Sequence, residues 1–269
     1  MWQPDIIFAL FLVGAFAGLM SGLFGIGGGM IVVPIVLWLL ARLNIDSAYT
    51  QHIAVGTSFA IMMFTTFSSA LAQHKKKAVE WSAVIKMSPA MVVGGLLGSF
   101  ISRHLSATFL HYFFIVFVIL VGLKILFKLN PKTTRPMPAT PIIIIVGLII
   151  GILSSWVGIG GGTLIVPFLL FCSLPIHRAV GTSSALAWPM AVSGAIGYLI
   201  NGLAINRLPE YSFGFWYLPA VAILACCTTI FAPIGVKLAH HLPAERLKMG
   251  MGLLILGIGL HMLYQQFSG

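Results

Sequence analysis

Two runs of glycine carry the groups best suited to chemistry in this chain, and neither needs a charged side chain. Gly25-Ile26-Gly27-Gly28-Gly29 leads into an apolar stretch containing Pro34, and 133 positions later Gly158-Ile159-Gly160-Gly161-Gly162 leads into another containing Pro167. Glycine has no Cβ, so it reaches φ > 0 and lets a ligand come close to the main chain. A helix starting just after each run, at Met30 and Thr163, would present unpaired N–H groups and about half a unit of positive charge, which is an anion site made of backbone.

A second pair of blocks supplies hydroxyls. His52-Ile53-Ala54-Val55-Gly56-Thr57-Ser58 recurs 125 positions on as His177-Arg178-Ala179-Val180-Gly181-Thr182-Ser183. The candidate substrate-binding set is therefore Gly25, Gly27, Gly28, Gly29, Thr57 and Ser58, with their partners Gly158, Gly160, Gly161, Gly162, Thr182 and Ser183. A neutral donor cage of this kind holds a small anion yet lets it go, whereas a buried Lys or Arg would bind harder and cost energy when the site is empty. Either motif alone would be read as close helix packing or as hydroxyls bonding back to their own helix. Recurrence of both, in order, favours a site.

Accessory groups are few. His52 and His177 titrate near neutral pH, although each, taken singly, reads first as a hydrogen-bonded interfacial histidine. Arg178, whose counterpart is Ile53, would bias the cytoplasmic entrance toward anions. Asp5, Asp46, Glu80, Glu210 and Glu245 all fall in expected loops or termini, which leaves no carboxylate in mid-membrane to bind Na⁺ or relay H⁺. Cys172, Cys226 and Cys227 sit in apolar runs without ligand spacing, so no metal is expected. The glycines lack a following Gly-Lys-[Ser/Thr], so ATP is not expected either. No cofactor and no enzymatic activity are expected.

The elements that must hold these groups follow from composition. Of 269 residues, 59% are hydrophobic and only 7% charged, with a mean hydropathy of +1.05. Too little charge is present to cover a water-facing surface, so the chain lives in a bilayer; soluble enzymes and nucleic-acid binders are excluded as classes. The net charge of +10 then reads as cytoplasmic loops touching anionic lipid headgroups. Ala15-Phe16-Ala17 imitates a signal-peptidase site, but the basic n-region is missing and a similar segment recurs at Gly147–Ser155, so the first segment reads as a retained membrane element.

Apolar segments are expected at 5–23, 29–41, 53–73, 84–102 and 107–128, then at 141–157, 163–172, 179–200, 214–238 and 246–265. Segments 29–41 and 163–172 cover only ~20 and ~15 Å of a ~30 Å hydrocarbon core, too little to cross alone. If each instead returns to the side its predecessor entered from, twelve Lys and Arg fall on one side and three on the other. Single crossings divide them nine to six. The first arrangement obeys the positive-inside rule better. It implies an all-α polytopic protein of two inverted repeats, 1–128 and 141–269, each with a glycine-broken enter-and-return pair plus three spanning helices. A cytoplasmic linker at 129–140 would join them, with both termini outside. Inverted repeats with broken helices meeting near mid-bilayer are a common plan of secondary transporters.

The duplicated Gly-Ile-Gly-Gly-Gly-x-x-x-Val-Pro and Ala-Val-Gly-Thr-Ser blocks resemble those of the sulfite exporter TauE/SafE family, also called the 4-toluene sulfonate uptake permeases. The resemblance covers almost the whole chain. It implies a prokaryotic inner-membrane transporter of small sulfur-containing or organic anions such as sulfite, sulfoacetate or related sulfonates, with the glycine, threonine and serine positions named above carrying the site. Export by alternating access is the leading expectation, and an anion channel using the same cage is the alternative. The expected partners are a small anion and membrane lipid, with no nucleic acid.

Overall fold

The computed structural model describes residues 4–45, 47–127, 137–205 and 208–268. Most of the expected linker, and with it Lys128, Lys132 and Arg135, lies outside the described residues, as do Asp46 and Arg207. In chain order the helices are α1 (Pro4–Phe24), α2 (Gly29–Arg42), α3 (Thr50–Lys75), α4 (Trp81–Ser102), α5 (Ala107–Leu126), α6 (Thr140–Val157), α7 (Gly162–Phe171), α8 (Ile176–Leu203), α9 (Leu218–His241) and α10 (Ala244–Ser268). All but α2 and α7 are long and apolar enough to cross a bilayer. Large apolar side chains such as Phe8, Ile85, Leu120 and Ile230 point outward with more than half their surface exposed. That is the surface of a helix bundle solvated by lipid.

Helix limits have local causes. Ser106 caps α5 by accepting the Phe109 N–H at 3.1 Å, which satisfies one of the donors a helix start leaves open. Gly158 ends α6 in the left-handed region at φ 76°, a conformation glycine adopts without a Cβ penalty. Pro34 and Pro167 lie inside α2 and α7; each lacks an N–H and so leaves a carbonyl one turn back, at Met30 or Thr163, without its helical partner. α9 starts four residues later than expected because 214–217 belong to a small antiparallel hairpin, β1 (Ser212–Phe213) with β2 (Trp216–Tyr217). α3 and α8 begin earlier than expected, which brings His52 and His177 inside helices. Pro175 at the head of α8 and the Ser47–Thr50 turn ahead of α3 set those starts.

Small residues let the helices pack on one another's backbones. Gly14, Gly18 and Gly22 of α1 meet Cys227, Thr228 and Ala232 of α9 in rising order, so the two helices run the same way. Gly147 and Gly151 of α6 meet α4 in the same sense, at 87–91 and 91–95. α5 and α10 instead pack antiparallel, Gly122 against Leu256 and Gly259 against Ile119.

α3 and α8 form the buried centre and run in opposite directions. Phe59 stacks on Tyr198 with ring centroids 5.9 Å apart, Phe67 meets Trp188, and Ser69 bonds Ser184 at 3.4 Å. α9 runs alongside α3, with Thr65 near Thr228 and Gln73 near His240. The start of α2 lies against the middle of α3, with Gly27 beside Thr66 and Met62 and Gly29 beside Met62.

Candidate functional site

The site begins with two glycine turns. In the first, Gly25, Gly27 and Gly28 take φ 69°, 77° and 81°, and in the second Gly158 and Gly161 take 76° and 75°. Gly160, the counterpart of Gly27, stays out of the left-handed region. Gly28 and Gly161 are the residues preceding α2 and α7, which start at Gly29 and Gly162, one residue before the expected positions.

The two turns meet. A Cβ built on Gly29 would run into the Gly158 carbonyl, and one built on Gly162 into the Gly25 carbonyl. A Cβ on Gly27 would sit 3.6 Å from the Gly160 Cα. Gly29 and Gly162 are thus glycines for close approach rather than for positive φ. Both runs are completely buried.

The hydroxyls of the second blocks bind these turns crosswise. Ser58 on α3 donates to the Gly158 carbonyl at 3.0 Å, and Ser183 on α8 donates to the Gly25 carbonyl at 2.9 Å. Thr57 accepts the Tyr217 N–H at 2.9 Å, and Thr182 accepts the Glu80 N–H at 2.9 Å. Gly56 and Gly181 allow the same close fit, since a Cβ would lie 2.6 Å from the Phe215 oxygen or 2.5 Å from the Ala78 oxygen. The serine protons expected to face an anion are committed to protein carbonyls, and the threonine oxygens hold the starts of α9 and α4. These four side chains shape the crossing.

What remains unpaired is main chain. The N–H groups of Ile26, Gly27, Gly28, Gly29 and Met30, and those of Gly160, Gly161, Gly162 and Thr163, find no acceptor among the described residues. The buried hydroxyls of Ser21, Ser154 and Thr163 likewise bond to nothing. Ser21 lies against Gly28, its Cβ 3.4 Å from where a Gly28 Cβ would stand. Buried donors are nearly always satisfied by protein, water or ligand, so a cluster of orphans at two helix starts marks a place where something polar belongs. Ser21 and Ser154 were legible as repeat partners four residues before Gly25 and Gly158; Thr163 has no hydroxyl counterpart, Met30 standing in its place.

The accessory residues lie apart from the crossing, at the heads of the long helices. His52, six residues and about 9 Å of helix from Ser58, donates from Nε2 to the Ser102 carbonyl at 2.8 Å and packs against the rings of Tyr49 and Phe215. His177 stacks on His240 with centroids 5.6 Å apart, and His240 donates to Gln73 Oε1 at 3.0 Å. Arg178 forms an ion pair with Glu80 at 2.7 Å. Its charge is shared with a carboxylate rather than offered alone to an incoming anion.

The sequence profile described as Sulfite exporter TauE/SafE matches residues 10–262. The chain belongs to the TauE/SafE family. Relatives of the family chain include a probable membrane transporter protein of Haemophilus influenzae, 33% identical over 93% of this chain and 96% of its own. A probable membrane transporter protein of Bacillus subtilis, YdhB, is 28% identical over 96% and 99%, and another from that organism, YunE, is 24% identical over 95% and 97%. No solved structure matches the chain significantly. This TauE/SafE chain is an integral membrane transporter.

Proposed function

We propose that the protein exports small sulfur-containing or organic anions, such as sulfite, sulfoacetate and related sulfonates, across the prokaryotic inner membrane by alternating access. The observation that carries this is the set of buried, unpaired donors where the two glycine turns meet: main-chain N–H groups of 26–30 and 160–163 with the hydroxyls of Ser21, Ser154 and Thr163. They are neutral and fixed before the ligand arrives, which stabilises a small anion without a buried cation.

The proposal includes two inverted repeats, 1–128 and 141–269, joined by a cytoplasmic segment at 129–140, with both termini outside. Support comes from the crosswise pairs, because Ser58 to Gly158 and Ser183 to Gly25 are one interaction made twice with the halves exchanged. Thr57, Ser58, Thr182 and Ser183 act here as positioning groups, and Gly25, Gly27, Gly28, Gly29, Gly158, Gly160, Gly161 and Gly162 form the cradle. Since both turns are buried, the anion enters only when a turn parts from the helix that pins it. Releasing one pin at a time exposes the shared cradle to one side and then the other, which is the movement a carrier needs.

Counterflow tests this. Labelled sulfite loaded into proteoliposomes should leave faster when unlabelled sulfite is added outside. Loss through an always-open path would show no such acceleration, and absence of sulfite flux with flux of another anion would replace the cargo.

A further inference from the structure

Away from the glycine crossing, α3, α4 and α8 enclose a cavity of about 450 Å³. Phe67, Leu71, Trp81, Val84, Trp188 and Pro189 wall it, and Phe67, Leu71, Trp81 and Trp188 keep between 41% and 47% of their surface exposed. The crevice therefore opens sideways, toward the lipid that surrounds the bundle. A size of this order takes a segment of one elongated molecule.

Two polar groups break the apolar lining, and both are donors. The Ser88 hydroxyl lines the cavity, is buried and has no partner among the described residues. His74 Nδ1 accepts the Trp81 indole N–H at 3.3 Å, so in neutral His74 the proton is on Nε2, ready to donate outward. Lys75, Lys76 and Lys77 follow at once, all exposed. The nearest acid in sequence, Glu80, is already held by Arg178. The end of α3 beside His74 thus carries three exposed lysines.

We propose that this crevice binds an anionic phospholipid, with one acyl chain lying along Phe67, Leu71 and Trp188 and the headgroup phosphate at His74 and Lys75–Lys77. Apolar walls alone would accept a chain from any lipid. The basic mouth selects the headgroup, since a Lys near a membrane surface favours an anionic lipid by roughly fivefold. The site is separate from the anion cradle and stands whether or not that cradle carries sulfite.

Trp188 is a built-in reporter. The full chain is reconstituted in phosphatidylcholine vesicles containing rising fractions of phosphatidylglycerol with brominated acyl chains, and the Trp188 emission is taken as the difference from a Trp188→Phe protein. Quenching should be half complete at a mole fraction at least about fivefold lower than with brominated phosphatidylcholine. The triple variant Lys75→Gln, Lys76→Gln, Lys77→Gln, checked for an unchanged melting temperature, should lose that preference while brominated chains still quench. Equal quenching by the two lipids in the unaltered protein, or a preference that survives in the triple variant, would overturn the assignment and leave ordinary annular lipid.

Discussion

Gly28→Ala separates what the glycine turn does for the fold from what it does for a ligand. The atoms nearest a Cβ at Gly28 would be Ser21 Cβ at 3.4 Å, the Ala17 oxygen at 3.5 Å and Ser21 Oγ at 3.8 Å, all ordinary contacts. The cost to the fold is then conformational: an alanine at φ 81° costs about 1–2 kcal/mol, a minor part of the 5–15 kcal/mol typical of a folded domain. The new methyl group stands beside the unpaired Ser21 hydroxyl, 3.8 Å from its oxygen, on the residue that precedes α2. Losing one hydrogen bond to a charged ligand costs about 1.5–3 kcal/mol, equivalent to a roughly 10- to 150-fold weaker Kd at 1.4 kcal/mol per decade. The assay is sulfite binding to purified protein, paired with efflux from proteoliposomes and a melting curve. A protein that melts slightly earlier and binds sulfite at least tenfold more weakly supports the cradle. Unchanged affinity in a folded Gly28→Ala protein would falsify the assignment of these amides.

Other substitutions should behave differently. Gly29→Ala and Gly162→Ala drive a Cβ into the Gly158 and Gly25 carbonyls, so both should reduce the yield of folded protein far more than Gly28→Ala, as read by size exclusion in detergent. Ser58→Ala and Ser183→Ala each leave a buried carbonyl unbonded at a cost of about 1–3 kcal/mol; similar losses of melting temperature are expected from the two, and a large loss in only one would break the proposed equivalence of the halves. Gly235→Leu should disrupt α1 against α9, where a Cβ already runs into the Leu19 carbonyl, and proteolysis should show α1 released. Arg178→Gln should change the melting temperature little, because exposed ion pairs contribute about 0–1 kcal/mol and Arg178 is 50% exposed; a large drop would mean that Arg178 supports more than its pair with Glu80.

Element positions were legible because span length and hydropathy are one-dimensional signals, and the shortness of α2 and α7 was visible by counting residues. The meeting of the glycine turns followed from their recurrence. The jobs of the hydroxyls did not, since Ser58 and Ser183 find partners 100 and 158 residues away in sequence. A hydroxyl looks the same in a sequence whether it faces a ligand or a carbonyl. The hairpin before α9 was hidden inside an apolar stretch, where buried strand and helix residues have the same composition; its Phe215 is fully buried against His52. The spacing of small residues in Gly14, Gly18 and Gly22, and in Gly94 and Gly98, was present in the sequence, but the facing helix in each case comes from the other half of the chain.

The crosswise pins bear on how the molecule is made. When the first half leaves the ribosome, the Gly25 carbonyl has neither Ser183 nor Gly162 to meet it, and Ser58 has no Gly158 to hold. The opening turn must wait, unfinished, for more than 150 further residues to be synthesised and inserted. Maturation of this transporter is therefore a late event governed by the second half, and a chain truncated before residue 183 would carry its first glycine turn into the membrane without a lock.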